Sequence, residues 1–303
     1  MTILVAGATG LAGSAVIRTL KKLKKNFIGL SSKDVDLLDR KATFEYICDL
    51  KPFAIIDAAA IVGGIGANNS QPVDFLTKNI QIQSNLMDAA HTAGVERFVF
   101  LGSSCVYPRD CMQPMKEEYL MSGPLENTNS AYAIAKIAGI ELIKSYRKQF
   151  SKRWISLVPT NLYGPNDNFD LNYGHVFAVL IRRFVEASAN NVDSIVLWGT
   201  GAPTREFLHV DDLASGILLC LDEYDDDLHM NIGTGMELSI KDLALKIASA
   251  TGYSGSIEWD LTKPDGTPRK VLDISRISKF SWQPSISLDS GISQTIKWYQ
   301  ESI

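Results

Sequence analysis

Short runs of consecutive apolar residues alternate along the first half of the chain with stretches whose apolar positions recur every three or four residues. The first kind predicts buried strands, the second helices with one apolar face. "TILVAG" (Thr2 to Gly7) predicts a strand and Leu11 to Leu23 a helix, and "NFIGL" and "FAIIDAAA" predict two further strands. A long helix is expected from Pro72 to Ala93, ended by Gly94 as its C-terminal cap. "RFVFLGSS" predicts another strand, Ser130 to Phe150 another helix, and "WISLVP" the strand after it. This β-α-β-α order predicts an α/β fold, a Rossmann-like doubly wound parallel sheet with helices on both faces.

Beyond Pro159 the pattern loosens. "NLYGPNDNFDLNYG" (Asn161 to Gly174) reads as a loop too long for a compact domain to keep without a purpose. A smaller C-terminal α/β lobe is expected from the later segments. The predicted division assigns residues 1–164 to the first domain, with 206–232 returning to it, and 165–205 with 233–303 to the second lobe. "KKLKK" (Lys21 to Lys25) reads as a solvated helix end favoured by the helix dipole, and "DEYDDD" (Asp222 to Asp227) as an exposed loop.

Composition narrows the class. The 303 residues carry a net charge of −4, which argues against a protein that tracks nucleic-acid phosphates. Cys48, Cys105, Cys111 and Cys220 are too few and too scattered for a disulfide framework, and neither cysteines nor histidines show metal-ligand spacing, so no metal is expected. No apolar run approaches the ~20 residues of a membrane span, and no basic leader precedes the first strand. A cytoplasmic protein is the expectation.

Candidate chemistry begins at "GATGLAG", which places Gly7, Gly10 and Gly13 between the first strand and the first helix. Gly7 allows the tight turn, Gly10 the approach of backbone N–H groups to a pyrophosphate, and Gly13 close helix–strand packing. The helix N-terminus favours that negative charge. The second strand ends "GLSSKD", so Ser31, Ser32 and Lys33 stand where an NAD site usually offers a carboxylate. Hydroxyls and an ammonium suit a 2′-phosphate better, so the predicted cofactor is NADP(H). "SAYAIAKIAG" adds Tyr132 and Lys136, four residues apart on one helical face. A phenol needs a nearby cation to exchange protons at neutral pH, and Lys136 supplies one while also able to hold the cofactor ribose. Ser103, at the end of the fourth strand, would hydrogen-bond the substrate oxygen.

These motifs together resemble the extended short-chain dehydrogenase/reductase family: the glycine turn, the catalytic Ser103, the Tyr132/Lys136 pair and the late segment "REFLHVDDLA" (Arg205 to Ala214). The resemblance implies a nicotinamide enzyme acting on a nucleotide sugar. It also implies that Leu11, Leu101, Gly102, Pro159, Asn161, Leu162 and His175 line the cofactor. Members often carry arginine in the glycine turn and near the second strand's end, where this chain has Thr9 and Ser31 or Ser32; Lys33 is expected to compensate.

The segments "AAAIVGGIGANN", "GSSCVYP", "NSAYAIAKIAGIEL", "VPTNLYGPNDNF" and "KPDGTPRKVLD" tighten the match. They resemble members that invert C3 and C5 of GDP-4-keto-6-deoxy-D-mannose and then reduce its C4 ketone with NADPH. By that resemblance Arg183, Trp198, Arg205 and Asp265 hold the GDP-sugar, and the protein is a homodimer, packed through helices that include Ser130 to Phe150. The C4 ketone acidifies the protons at C3 and C5, and inversion needs a base on one face and an acid on the other. A thiol and an imidazole can trade those roles near neutral pH. Cys105 is therefore expected as the base and His175 as the acid. The structural alternatives are a small buried cysteine, a helix-capping histidine, a core tryptophan at 198, and surface charges at Arg183, Arg205 and Asp265. A related nucleotide-sugar 4-epimerase or 4-reductase would need Ser103, Tyr132 and Lys136 but not Cys105 and His175. A non-catalytic cofactor-binding scaffold could dispense with Tyr132 or Lys136.

Overall fold

In the computed structural model, which describes every residue except Pro264, the first apolar run becomes β1 (Ile3–Ala6), buried along its whole length. Its side chains alternate: Ile3 and Val5 enter one apolar layer, Leu4 and Ala6 another, as the two-residue period of a strand requires. The chain continues through α1 (Leu11–Lys22), β2 (Phe27–Leu30), α2 (Arg40–Leu50), β3 (Ala54–Asp57), α3 (Ile65–Ser70), α4 (Pro72–Thr92), β4 (Arg97–Leu101), α5 (Ser130–Phe150) and β5 (Ile155–Pro159). There follow β6 (Asn161–Tyr163), α6 (Val176–Ala189), β7 (Ser194–Trp198), β8 (Thr204–His209), α7 (Val210–Glu223) and β9 (Met230–Ile232). The last elements are β10 (Glu237–Ser239), α8 (Ile240–Thr251), β11 (Ser256–Asp260), β12 (Arg269–Lys270), α9 (Ser275–Ser278) and α10 (Leu288–Ser302).

The main sheet has the order β2-β1-β3-β4-β5-β9, and each of these pairs is parallel. On one face lie Val16 and Leu20 of α1 with Leu213 and Ile217 of α7; on the other lie Leu86 and Ala90 of α4 with Ile140 and Ile143 of α5. Central strands covered on both sides read as unbroken apolar runs, which is why the sequence exposes them so clearly. The doubly wound α/β sheet is the fold observed. From β1 the chain steps outward to β2 and then passes back to β3, so the loops at the carboxyl ends of β1 and β3 diverge and leave a crevice.

A second assembly is built on β8, which pairs with β6 and β12 in parallel and with β10 antiparallel. β7 and β11 form a separate parallel pair. Phe177, Ile181 and Phe184 of α6, Leu243 and Ile247 of α8, and Ile292 and Ile296 of α10 share the third apolar layer. The buried carboxylate of Glu206 ties this region together: it accepts from Gly235 N at 2.8 Å and from Leu272 N at 2.7 Å. That staple fixes β12 beside β8.

Three local expectations are corrected. The third strand stops at Asp57 rather than continuing through Ala58–Ala60. The loop expected from Asn161 opens instead as β6. And α2, which the apolar pattern did not single out, starts at an Asp39 cap whose side chain accepts from Ala42 N at 3.0 Å.

Candidate active site

The glycine turn has no room for side chains on its inner side. A Cβ on Gly7, whose φ is +74°, would lie 2.6 Å from the Ala58 carbonyl oxygen, and one on Gly13 would overlap the Gly7 carbonyl. On Gly10 it would meet nothing closer than 3.5 Å. Gly10 and Thr9 face solvent. No side chain caps α1, and its first turn holds no acidic residue, so its N–H groups are left for an anion. The residues present fit a dinucleotide pyrophosphate. At the end of β2, however, Ser31 is already engaged: its N–H and Oγ donate to the Asp34 carboxylate at 2.9 and 2.7 Å. Those bonds hold Asp34 below the ordinary carboxylate range. Ser32 and Lys33 remain exposed.

The next shell stands at the carboxyl ends of β3 and β4. Lys136 Nζ, buried, donates to the Leu101 carbonyl at 2.9 Å and lies 5.8 Å from the centre of the Tyr132 ring. Gly102 N donates to the Leu157 carbonyl at 2.7 Å, which locks the strand end that presents Ser103. Asp57 is buried nearby with Oδ2 unpartnered. Burial pushes its carboxyl up to about 6 despite the Lys136 ammonium, and burial likewise lowers Lys136. Burial, and secondarily Cys105, pushes the Tyr132 phenol well above its ordinary value. The spacing of Tyr132 and Lys136 suggests a cation that lowers the phenol; here the lysine's hydrogen bond goes to a carbonyl, and the phenol keeps its proton.

Cys105 follows Ser103 in a single helical turn (Ser104–Val106), with its N–H on Ser103 Oγ at 3.4 Å. Burial raises its thiol, and Lys270, the Ser103 bond and Lys136 oppose that rise. His175 immediately precedes α6, and its side chain makes no cap bond. The residue is exposed, and the atoms packed about its imidazole, followed by Lys270, lower it. Lys270 bears electrostatically on both Cys105 and His175 and lines one cavity with Cys105. The sequence reading passed over it, although "KPDGTPRKVLD" carries the signal: a lysine directly before the buried pair Val271 and Leu272.

Arg205 is pushed below the ordinary guanidinium value by burial, opposed by Asp265 and Glu126, and its Nη1 donates to its neighbour's carbonyl at 2.8 Å. Asp265 accepts from Thr200 N and Oγ1 at 2.9 and 2.7 Å. Trp198, 71% exposed, ends β7 two residues before that threonine. Arg183 Nη2 donates to the Val196 carbonyl of the same strand at 2.7 Å. The structure therefore gathers Ser103, Cys105, Tyr132, Lys136, Lys270 and Arg205 around one centre, whereas Arg183 reaches β7 from α6 and Trp198 ends that strand, two residues before the Thr200 that binds Asp265. Trp198 is not a core aromatic. Asn161 is partly committed, its Nδ2 donating to the Glu206 carbonyl at 2.8 Å, and Leu162 packs against the main core. Pro159 closes the buried β5.

Residues 3–233 match the model of the NAD dependent epimerase/dehydratase family. The chain belongs to that family. It is 47% identical to GDP-L-fucose synthase 1 of Arabidopsis thaliana over 302 residues, 99% of this chain and 94% of that protein. Among solved structures it superposes on a GDP-L-fucose synthetase from Naegleria fowleri bound to NADP, with a TM-score of 0.92, 30% identity, and coverage of 99% of this chain and 94% of that one. It also superposes on a GDP-mannoheptose C4 reductase from Campylobacter jejuni with NADP bound, with a TM-score of 0.91, 33% identity, and coverage of 99% and 98%.

Proposed function

We propose that the protein is a bifunctional epimerase–reductase that converts GDP-4-keto-6-deoxy-D-mannose to GDP-L-fucose, inverting C3 and C5 and reducing C4 with NADPH. What supports this reading is that Ser103, Tyr132, Lys136 and Lys270 all bear on Cys105, and that Lys270 bears on His175 as well. The GDP-L-fucose synthase likeness along nearly the whole chain supports it.

In this reading Arg205 and Arg183 hold the diphosphate, Trp198 walls the nucleotide, and Asp265 accepts ribose or base donors. Ser103 and Tyr132 donate to the C4 oxygen, so that oxygen can carry enolate charge when a proton leaves C3 or C5. Cys105, as thiolate, takes the proton; His175 returns one on the opposite face. Lys270 opposes the rise of the Cys105 thiol, which suits that residue to receive a proton, and by lowering the His175 imidazole makes its protonated form the readier donor. A dinucleotide held at the glycine turn would supply hydride chemistry at C4, and Tyr132, kept protonated by its surroundings, gives the C4 oxygen its proton. Lys136 and the glycine turn would orient the cofactor, and Thr9, Ser31, Ser32 and Lys33 are the residues that would hold its 2′-phosphate end.

A plain C4 reductase is the competing reading, because a reductase is among the structural relatives; it leaves the thiol and imidazole without work. We further propose a homodimer packed through α5, and residence in a reducing cytoplasm, in keeping with four free cysteines. Incubation with GDP-4-keto-6-deoxymannose and NADPH, followed by NMR of the sugar, tests the reading. The L-galacto product supports it; a 6-deoxyhexose that keeps the substrate's C3 and C5 configuration overturns it.

A further inference from the structure

We infer that the cavity behind Cys105 is a proton port: a one-water site through which the thiol hands the proton taken from the sugar to Glu126, and thence to solvent. The inference rests on the epimerase reading above and follows from its proton count. Each inversion leaves one proton on sulfur and removes one from the imidazole. The same two residues serve C3 and C5, so both must be reset between inversions. Cys105 is only 6% exposed and cannot discharge into bulk water directly.

The cavity encloses about 20 Å³ and is lined by Cys105, Tyr107, Glu126, Asn129 and Lys270 among others. One water needs ~10–15 Å³ and two to four polar partners. Asn129, whose Oδ1 is buried without a hydrogen-bond partner among the described residues, belongs to the same lining. Glu126 spans from this cavity to the outside, with 21% of its side chain exposed. Its Oε1 accepts from Thr128 N and Oγ1, both at 3.4 Å, and its Oε2 accepts from Thr267 Oγ1 at 3.4 Å and faces Arg109 Nε at 3.5 Å. Contacts this long commit neither carboxylate oxygen to a strong hydrogen bond. Glu126 also caps the turn Asn127–Asn129 that leads into α5, so the port is fixed to the helix that carries Tyr132.

The step balances without redox change. The S–H bond of Cys105 breaks as its proton bonds to the water oxygen, and a water O–H breaks as its proton bonds to a Glu126 oxygen. The thiolate is restored, and the carboxylic acid loses its proton to solvent. Lys270 lines the same cavity and stabilises the thiolate left behind.

The test is a rapid-quench measurement of deuterium uptake by GDP-4-keto-6-deoxymannose in D2O, without NADPH, in the unaltered protein, Glu126→Gln, Glu126→Ala and Glu126→Asp. The unaltered protein and Glu126→Asp exchange linearly. Glu126→Gln exchanges one equivalent per site at the unaltered rate and then at least about tenfold more slowly. In Glu126→Ala, added formate speeds the slow phase in proportion to its concentration. Linear exchange by Glu126→Gln at the full rate overturns the port, as does joint loss of both phases with no response to formate. Absence of exchange in the unaltered protein instead overturns the epimerase reading on which the port depends.

Discussion

Gly64 donates its backbone N–H to the Tyr173 carbonyl at 2.8 Å, tying the loop after β3 to the segment that ends at His175. A Cβ on Gly64 would lie 2.5 Å from the Gly174 carbonyl oxygen. Backbone on both sides leaves nothing flexible to yield. Gly64→Ala therefore displaces His175 and costs about 1–3 kcal/mol of stability, as overpacking does. Solvent-deuterium uptake at C3 and C5 should fall while NADPH affinity, measured by fluorescence titration, is unchanged. Equal losses in both would assign the glycine a general structural role.

Tyr132→Phe removes the proton donor and leaves the ring in its place against Phe75, 6.1 Å away and edge-on. Reduction should slow by about 10²–10⁴, the usual worth of a general acid. Epimerisation, which uses Cys105 and His175, should slow less. Stopped-flow NADPH oxidation and deuterium uptake separate the two, and undiminished NADPH oxidation would refute the donor role.

Asp57 sets a pH dependence of stability. Its folded carboxyl titrates near 6 against ~3.9 for a free one, so between those values the unfolded chain holds fewer protons. Stability conferred by this group is full below about pH 4 and is lost as pH rises through 6, on the order of 3 kcal/mol. Asp57→Asn should flatten the urea-denaturation profile from pH 4 to 7. An unchanged slope would show that Lys136 compensates the buried charge.

Asp34 bears on cofactor choice. Its carboxylate, held at the end of β2 by Ser31, sets a negative charge beside the hydroxyl we propose for the 2′-phosphate. Asp34→Asn should free Ser31 and raise the NADPH-to-NADH ratio of kcat/KM by about threefold, the modest size of a solvent-exposed charge effect. A ratio that falls would mean the carboxylate holds Ser31 and Lys33 in the phosphate-binding arrangement.

How much of this was readable beforehand follows from where the signal lies. β1, β4 and β5 are covered on both faces, so burial writes itself into consecutive apolar letters; α5 was readable to its ends. By contrast, α2 buries only Thr43 and Ile47, too thin a stripe to stand out. β6 is three residues long with only Tyr163 fully buried, and its strand character comes from pairing with β8, which is distant in sequence. The glycine turn and the Tyr132/Lys136 spacing are local and were legible. The convergence of Glu126, Arg205 and Lys270 is not: three segments meet only when β12 docks on β8 and Glu206 pins Leu272. The engagement of Ser31 by Asp34 is local, three residues apart, and qualifies the part Ser31 plays without changing the NADP(H) reading of "SSKD".

The central claim is that Cys105 and His175 move protons at C3 and C5 before Tyr132 helps close the ketone. It is tested most directly by running the reaction in D2O with unlabelled NADPH and locating deuterium in the product by NMR. The account predicts deuterium at C3 and C5 with protium at C4, and loss of both deuteriums in Cys105→Ser while a pre-epimerised ketone is still reduced. Deuterium at C3 and C5 that persists undiminished in Cys105→Ser, or protium there in the unaltered protein's product, would contradict it.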